Sequence, residues 1–151
     1  MRIVLDTNTL VSGLLSPSGP PGQIVCMIGS GTLQLCYDAR IMCEYEEVLP
    51  RPKFGFYAEK VKALLEQIEA RGIVATGEPL AERLPDEQDE PFLEVAVGAK
   101  AACLVTGNSK HYPRDSCGSV HVVSPSQFLW NWQRTRNEGS TSSTGPGPSG
   151  R

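Results

Sequence analysis

Val61, Leu64, Leu65 and Ile68 recur at i, i+3, i+4 and i+7 with Lys and Glu on the opposite face, which predicts an amphipathic helix. Gly72 ends it, and Ile73 to Ala75 reads as a strand. Upstream, Arg2 to Leu5 is a short β-type run closed by Asp6. The Pro and Gly residues from Pro17 to Gly22 mark a loop, after which Ile24, Val25 and Ile28 form one stripe of a helix. Leu33 to Tyr37 is the next strand, followed by a helical stretch from Ala39 to Leu49 that Pro50 and Pro52 terminate. Downstream, an acidic loop from Glu78 to Asp89 leads into a helix from Pro91 to Ala101 that is apolar almost all round, so more than one neighbour is expected to cover it. Ala102 to Thr106 and Val120 to Val123 supply the last strands, and Ser124, Pro125, Phe128, Leu129 and Trp132 predict a closing helix. Strands that alternate with helices favour an α/β fold, its central parallel sheet covered on both faces by right-handed crossovers.

Length limits the picture to one core, because 151 residues at 40% hydrophobic content are too few for two ordinary domains. From Asn137 to Arg151 nearly every residue is Gly, Ser, Thr or Pro. No large apolar side chain there offsets the entropy of ordering, so residues 136–151 are expected to form a disordered tail behind a domain of residues 1–135. No run of roughly 18 apolar residues spans a bilayer and no signal-like region opens the chain, which leads to the expectation of a soluble, cytoplasmic protein without a membrane partner. The five cysteines, an odd set with no C-x-x-C pair, read as reduced packing residues. A net charge of -3 weighs against wholesale binding of phosphate backbones, yet allows a nuclease in which an acidic cluster holds a divalent cation and a local basic rim meets the substrate.

In parallel α/β sheets ligands bind beyond the carboxyl ends of the strands. That rule singles out Asp6, Thr7 and Asn8 after the first strand and Thr106, Gly107 and Asn108 after the fourth. Asp89 stands at the start of the helix leading into that fourth strand, where a carboxylate also faces the positive end of the helix dipole. In the Ala39 to Leu49 helix, Ile41, Met42, Tyr45, Val48 and Leu49 define the core face. Glu44 and Glu46 then flank the apolar stripe and either can reach the rim, while Glu47 points nearly opposite. Carboxylates gathered without a cation repel, and a hard, oxygen-seeking ion such as Mg²⁺ or Mn²⁺ relieves that conflict while coordinating a phosphate oxygen.

The segments "RIVLDTNTLVSGLL", "EYEEVLPRPKF", "DEPFLEVAVGAKAACLVTGNSKHYP" and "VVSPSQFL" together resemble the PIN-domain ribonucleases, and among them the bacterial toxin components related to VapC. The resemblance runs from Arg2 to about Leu129. It implies a PIN-like three-layer α/β/α sandwich with a central parallel sheet of four to five strands, a nuclease domain over residues 1–135, and Mg²⁺- or Mn²⁺-dependent hydrolysis of RNA phosphodiester bonds. Residue by residue it implies Asp6, Glu44 and Asp89 as the three acids and Asn8 and Thr106 as polar neighbours. Where many PIN domains carry a fourth Asp after "VTG", this chain has Asn108, an amide that can ligate through oxygen but brings no charge. For toxin members the resemblance further implies a small antitoxin partner. Arg51, Lys53, Lys110, His111 and Arg114 are candidate RNA contacts.

Plainer roles stand beside these. Asp6 can make an Asx-turn, Asp89 can cap a helix, Asn108 can be a left-handed turn residue, and Lys110 and His111 can be ordinary surface groups. Phosphoryl-transfer alternatives fit poorly: Asp6-Thr7-Asn8 lacks the second acid of a haloacid-dehalogenase-like D-x-D, Thr76 and Gly77 stand where a receiver domain needs an acceptor Asp, and no P-loop or G-x-G-x-x-G is present. The remaining alternative is a degenerate PIN domain that binds RNA or a partner protein without cleavage. Phe54, Phe56, Tyr57, Trp130 and Trp132 suit either the core or an interface, that of a homodimer included.

Overall fold

The apolar run at the N-terminus becomes β1 (Arg2–Leu5), and Ile3, Val4 and Leu5 are each fully buried. Successive strand residues point to opposite faces, so burial of all three means that both faces of the sheet are covered. The computed structural model describes residues 1–143, and for residues 138–143 the backbone alone. Helices α1 (Thr7–Leu15) and α2 (Pro20–Gly29) follow, then β2 (Gln34–Tyr37), α3 (Ala39–Val48), α4 (Ala58–Arg71), β3 (Ile73–Val74), α5 (Glu90–Gly98), β4 (Cys103–Val105), β5 (His121–Val123) and α6 (Pro125–Ser143). The five strands are all parallel, in the order β3-β2-β1-β4-β5. This is the expected α/β architecture, with β1 in the centre.

That order makes the junction between β1 and β4 the switch point of the sheet. The chain winds outward in one direction through β2 and β3, then returns through α5 to lay β4 on the other side of β1. Loops leaving β1 and β4 therefore diverge and open a crevice at their carboxyl ends. Helix α5 packs on β1, β2 and β4, and α3 on β2 and α5. Gly98, near the end of α5, allows this packing: a Cβ there would lie 2.0 Å from the Thr76 carbonyl oxygen.

Helix α1 is an element that the sequence pattern did not announce. Its start is nonetheless encoded, because Asp6 occupies the N-cap and accepts a hydrogen bond from the Thr9 backbone N–H at 2.9 Å. At the other end of the chain, Ser124 accepts the Gln127 N–H at 3.1 Å, opening α6 where the sequence predicted it. The α6 backbone runs on to Ser143; from residue 144 the expected tail lies outside the described residues. Phe128 is core, with Trp132 stacked on it at 6.2 Å, whereas Trp130 and Tyr57 are exposed. Among the described residues no helix is long and apolar enough to cross a membrane.

Candidate functional site

Asp6 leaves the buried end of β1 and is itself only 8% exposed. A carboxylate so withdrawn from water needs donors. One oxygen takes the Thr9 N–H of the helix cap, and the other takes the Thr106 hydroxyl at 2.5 Å from the end of β4. The plain local role of Asp6 is thus met by Oδ1 alone, through the Thr9 N–H. Thr106, fully buried, also accepts the Asn108 backbone N–H at 3.0 Å, so the loop after β4 is tied to the loop after β1.

Helix α3 brings the second acid. Tyr45, fully buried, donates its hydroxyl to the Leu5 carbonyl at 2.6 Å and so pins α3 to the end of β1. One residue earlier, Glu44 accepts a hydrogen bond from the Thr7 hydroxyl. Of the two flanking glutamates, Glu44 thus reaches this rim, whereas Glu46 lies on a different surface, beside Val61, Leu65 and Glu69 of α4. Glu47 departs from the helical-wheel expectation: its long side chain borders the same cleft as Glu44, and its Oε1 is 3.7 Å from Arg51.

Asp89 joins a 3-10 turn (Glu87–Asp89) to α5 and makes no side-chain cap bond, so its capping role is not used. Its Oδ2 is buried without a hydrogen-bond donor in line, although His111 Nδ1 lies 3.1 Å away. Burial pushes its carboxyl above the ordinary aspartate range; His111 opposes the rise, and Asp86 and Asp6 add to it. Tyr112 shares this acidic surrounding. Its buried hydroxyl has no hydrogen-bond partner among the described residues, and burial first, then Asp89, Asp6 and Glu44, push its phenol up.

Asp6, Asn8, Glu44, Asp89 and Asn108 all line one cleft of about 650 Å³, together with Thr7, Arg51, Lys53 and His111. Asn108 has φ -126°, so it is not the left-handed turn residue considered above. Lys110 and Arg114 border a different surface, along the β4–β5 connection with Tyr112 and Cys117. Sequence reasoning missed how His111 pairs with Asp89, and also the part of Arg40, whose guanidinium bridges Asp38 at 2.8 Å and Glu94 at 2.7 Å, coupling the start of α3 to α5. In the sequence only the opposite charges of Arg40 in α3 and Glu94 in α5 bear on that link.

Among the described residues no three His, Cys, Asp or Glu side chains are arranged to hold a metal ion by themselves. Each acid is turned towards a protein group: Thr106 and Thr9 for Asp6, Thr7 for Glu44, His111 for Asp89. The donor chemistry still suits Mg²⁺ or Mn²⁺. All the candidate ligands are oxygens, Mg²⁺ needs only one or two carboxylates beside waters and a phosphate, and Asp89 Oδ2 is a buried carboxylate oxygen without a hydrogen bond.

A family model for the PIN domain matches residues 2–110. An uncharacterized protein, MJ1680, of Methanocaldococcus jannaschii is 22% identical over 144 residues, covering 89% of this chain and 93% of the relative. Among solved structures, a chain of VapBC2 from Rickettsia felis, bound to a DNA fragment from the promoter, superposes with a TM-score of 0.53 at 15% identity over 82% of this chain and 98% of that one. A chain of FitAB bound to the IR36 DNA fragment gives 0.51 at 17% identity over 82% and 94%. At these identities the two structures bear on the fold.

Proposed function

Because the chain belongs to the PIN domain family, we propose that it is an endoribonuclease that hydrolyses RNA phosphodiester bonds with Mg²⁺ or Mn²⁺. The observation that carries the reading is the convergence of Asp6, Glu44, Asp89 and Asn108 from four remote segments on a single cleft at the carboxyl ends of β1 and β4. When bound, the cation supplies Lewis acidity towards the scissile phosphate and lowers the pKa of the attacking water. Asp6, Glu44 and Asp89 would hold it through carboxylate oxygens, and Asn108 through its amide oxygen. Thr106 and the Thr9 N–H orient the Asp6 carboxylate, Thr7 orients that of Glu44, and His111 partners Asp89. Arg51 and Lys53 on the cleft wall offer charge to the substrate backbone.

The test is incubation of purified protein with single-stranded RNA in Mg²⁺, in Mn²⁺ and in EDTA, beside Asp6→Asn. Metal-dependent cleavage lost in the variant supports the assignment; cleavage that persists in Asp6→Asn at the wild-type rate points to a contaminant and removes it.

We further propose that the protein is the toxin of a two-protein pair, its partner being a small antitoxin. The support is fold similarity to chains of VapBC2 and FitAB. A neighbouring reading frame whose product co-purifies with this chain and suppresses its RNA cleavage is the expected result. Without such a product, and with harmless overexpression of the active protein, RNA processing replaces the toxin role. Asn108 favours one second reading, a PIN domain that binds RNA or a partner without cutting, since the cleft lacks a fourth charge there. RNA binding with no cleavage in any metal would select it.

A further inference from the structure

The connector between α3 and α4 does more than turn the chain. Together with the first turn of α4, residues 51–60 carry three cations, Arg51, Lys53 and Lys60, against one acid, Glu59, in a protein whose net charge is -3. Three aromatic rings lie among them. The Lys53 ammonium sits over the Phe54 ring, 5.2 Å from its centroid, and the Lys60 ammonium over the Tyr57 ring at 5.8 Å. Phe54 is backed by Phe56, stacked at 5.6 Å with 22° between planes. Pro52 stiffens the entry, and Gly55, at φ 70°, takes the left-handed conformation that reverses the chain between the two phenylalanines.

Core packing accounts for part of this segment only. Phe54 and Phe56 are half-buried against the core, but Tyr57 is 71% exposed, a large surface to leave to water. Phe54 also lines the acidic cleft, beside Arg51 and Lys53. A ring with an ammonium over it complements a nucleotide, which presents a π-face and an adjacent phosphate anion. The motif occurs twice here within four positions, which the chain can separate by at most about 11 Å.

We propose that Phe54 and Tyr57, with Lys53 and Lys60, form a stacking platform for unpaired bases of a nucleic-acid strand whose phosphates pass Arg51 and Lys53 on their way into the acidic cleft. The strand's role as substrate rests on the nuclease reading above; the platform is a binding feature and is tested without cleavage. Stacking on aromatic rings requires bases free of a duplex and tolerates any sequence, while the lysines exchange their ring contacts for phosphate contacts. Selection is therefore for single-stranded character at this end of the cleft. Because Arg51 is shared with Glu47, it adds less to backbone binding than Lys53.

The experiment is fluorescence anisotropy of the full chain with a labelled single-stranded RNA of about a dozen nucleotides and with the blunt duplex of the same sequence, both in EDTA. Tyr57→Ala is expected to weaken single-strand binding roughly 5- to 100-fold, Tyr57→Phe to leave it unchanged, and neither to alter duplex binding. Phe54→Leu, its folding checked by thermal melting, is expected to act in the same direction. Single-strand affinity equal to wild type in Tyr57→Ala and in folded Phe54→Leu, equal affinity for the duplex, or no RNA binding at all would overturn the platform, the first of these leaving the surface to a protein partner. The outcomes separate from those of the nuclease reading: normal binding by the variants with intact metal-dependent cleavage removes the platform alone, whereas ring-dependent binding without any cleavage removes the nuclease alone.

Discussion

Thr106 donates its hydroxyl to Asp6 across 2.5 Å, joining the ends of β4 and β1 although the two residues are 100 positions apart. The bond is buried and one partner carries a charge, which puts it among the stronger hydrogen bonds a fold contains. Thr106→Val keeps the shape and removes the donor, leaving one oxygen of Asp6 unpaired. A loss of about 2 kcal/mol of stability in urea unfolding is expected, with weaker Mn²⁺ binding in the metal-free-to-loaded titration. A variant as stable as wild type would mean that another group supplies the hydrogen bond.

Asn108→Asp adds the charge that many PIN domains have. Without metal, a further carboxylate beside Asp6 and Asp89 is expected to lower the melting temperature at neutral pH; with saturating Mn²⁺ the ranking should reverse and the affinity for Mn²⁺ should rise. Calorimetric titration reads the affinity directly. Unchanged affinity in a folded variant would take residue 108 out of the ion's coordination.

Asp89 and Glu90 are chain neighbours with opposite titration behaviour. Burial raises Asp89, whereas the Leu84 N–H and then Arg83 lower Glu90. A raised carboxyl contributes most favourably below the pKa it has when unfolded, and that contribution is lost as pH rises through the folded value. Metal-free Asp89→Asn should consequently melt higher than wild type at pH 7, with the gap closing as pH falls through the range of an ordinary carboxyl. Melting curves across that range check the sign.

For Glu90 the sign inverts. A depressed carboxyl stabilises the fold above its unfolded pKa, and the benefit disappears as pH falls through the lower folded value. Its Oε2 accepts the Leu84 N–H at 2.9 Å and meets Arg83 at 3.0 Å, holding the acidic loop against the start of α5. Glu90→Gln is expected to be less stable than wild type at pH 7 and to approach it in acid. A constant difference at all pH values would show that packing, not charge, is what Glu90 contributes.

Tyr45→Phe tests the link between α3 and β1. Losing the 2.6 Å bond to the Leu5 carbonyl leaves a buried acceptor unpaired and should cost about 1 kcal/mol in denaturant unfolding. Since the same bond sets Glu44 beside Thr7, metal-dependent cleavage should fall further than stability alone explains. Equal stability would imply that the Leu5 carbonyl is satisfied without it.

By itself, the sequence determined the parallel α/β fold, because repeats of two and of 3.6 residues are local properties of a chain that buries apolar side chains. Strands at Arg2–Leu5 and Gln34–Tyr37 and the helix carrying Val61, Leu65 and Ile68 were legible for that reason. Helix α1 was not, since Thr7, Asn8 and Thr9 dilute its apolar stripe and the signal reduces to one capping aspartate. Which acids meet was beyond local pattern. Glu44 and Glu46 have equal claims on a helical wheel, and only the docking of α3 through Tyr45 to the end of β1 turns one to Thr7 and the other to α4. The pairing of His111 with Asp89 likewise exists only because α5 packs back along β4, which sets the start of the helix beside the loop that leaves the strand.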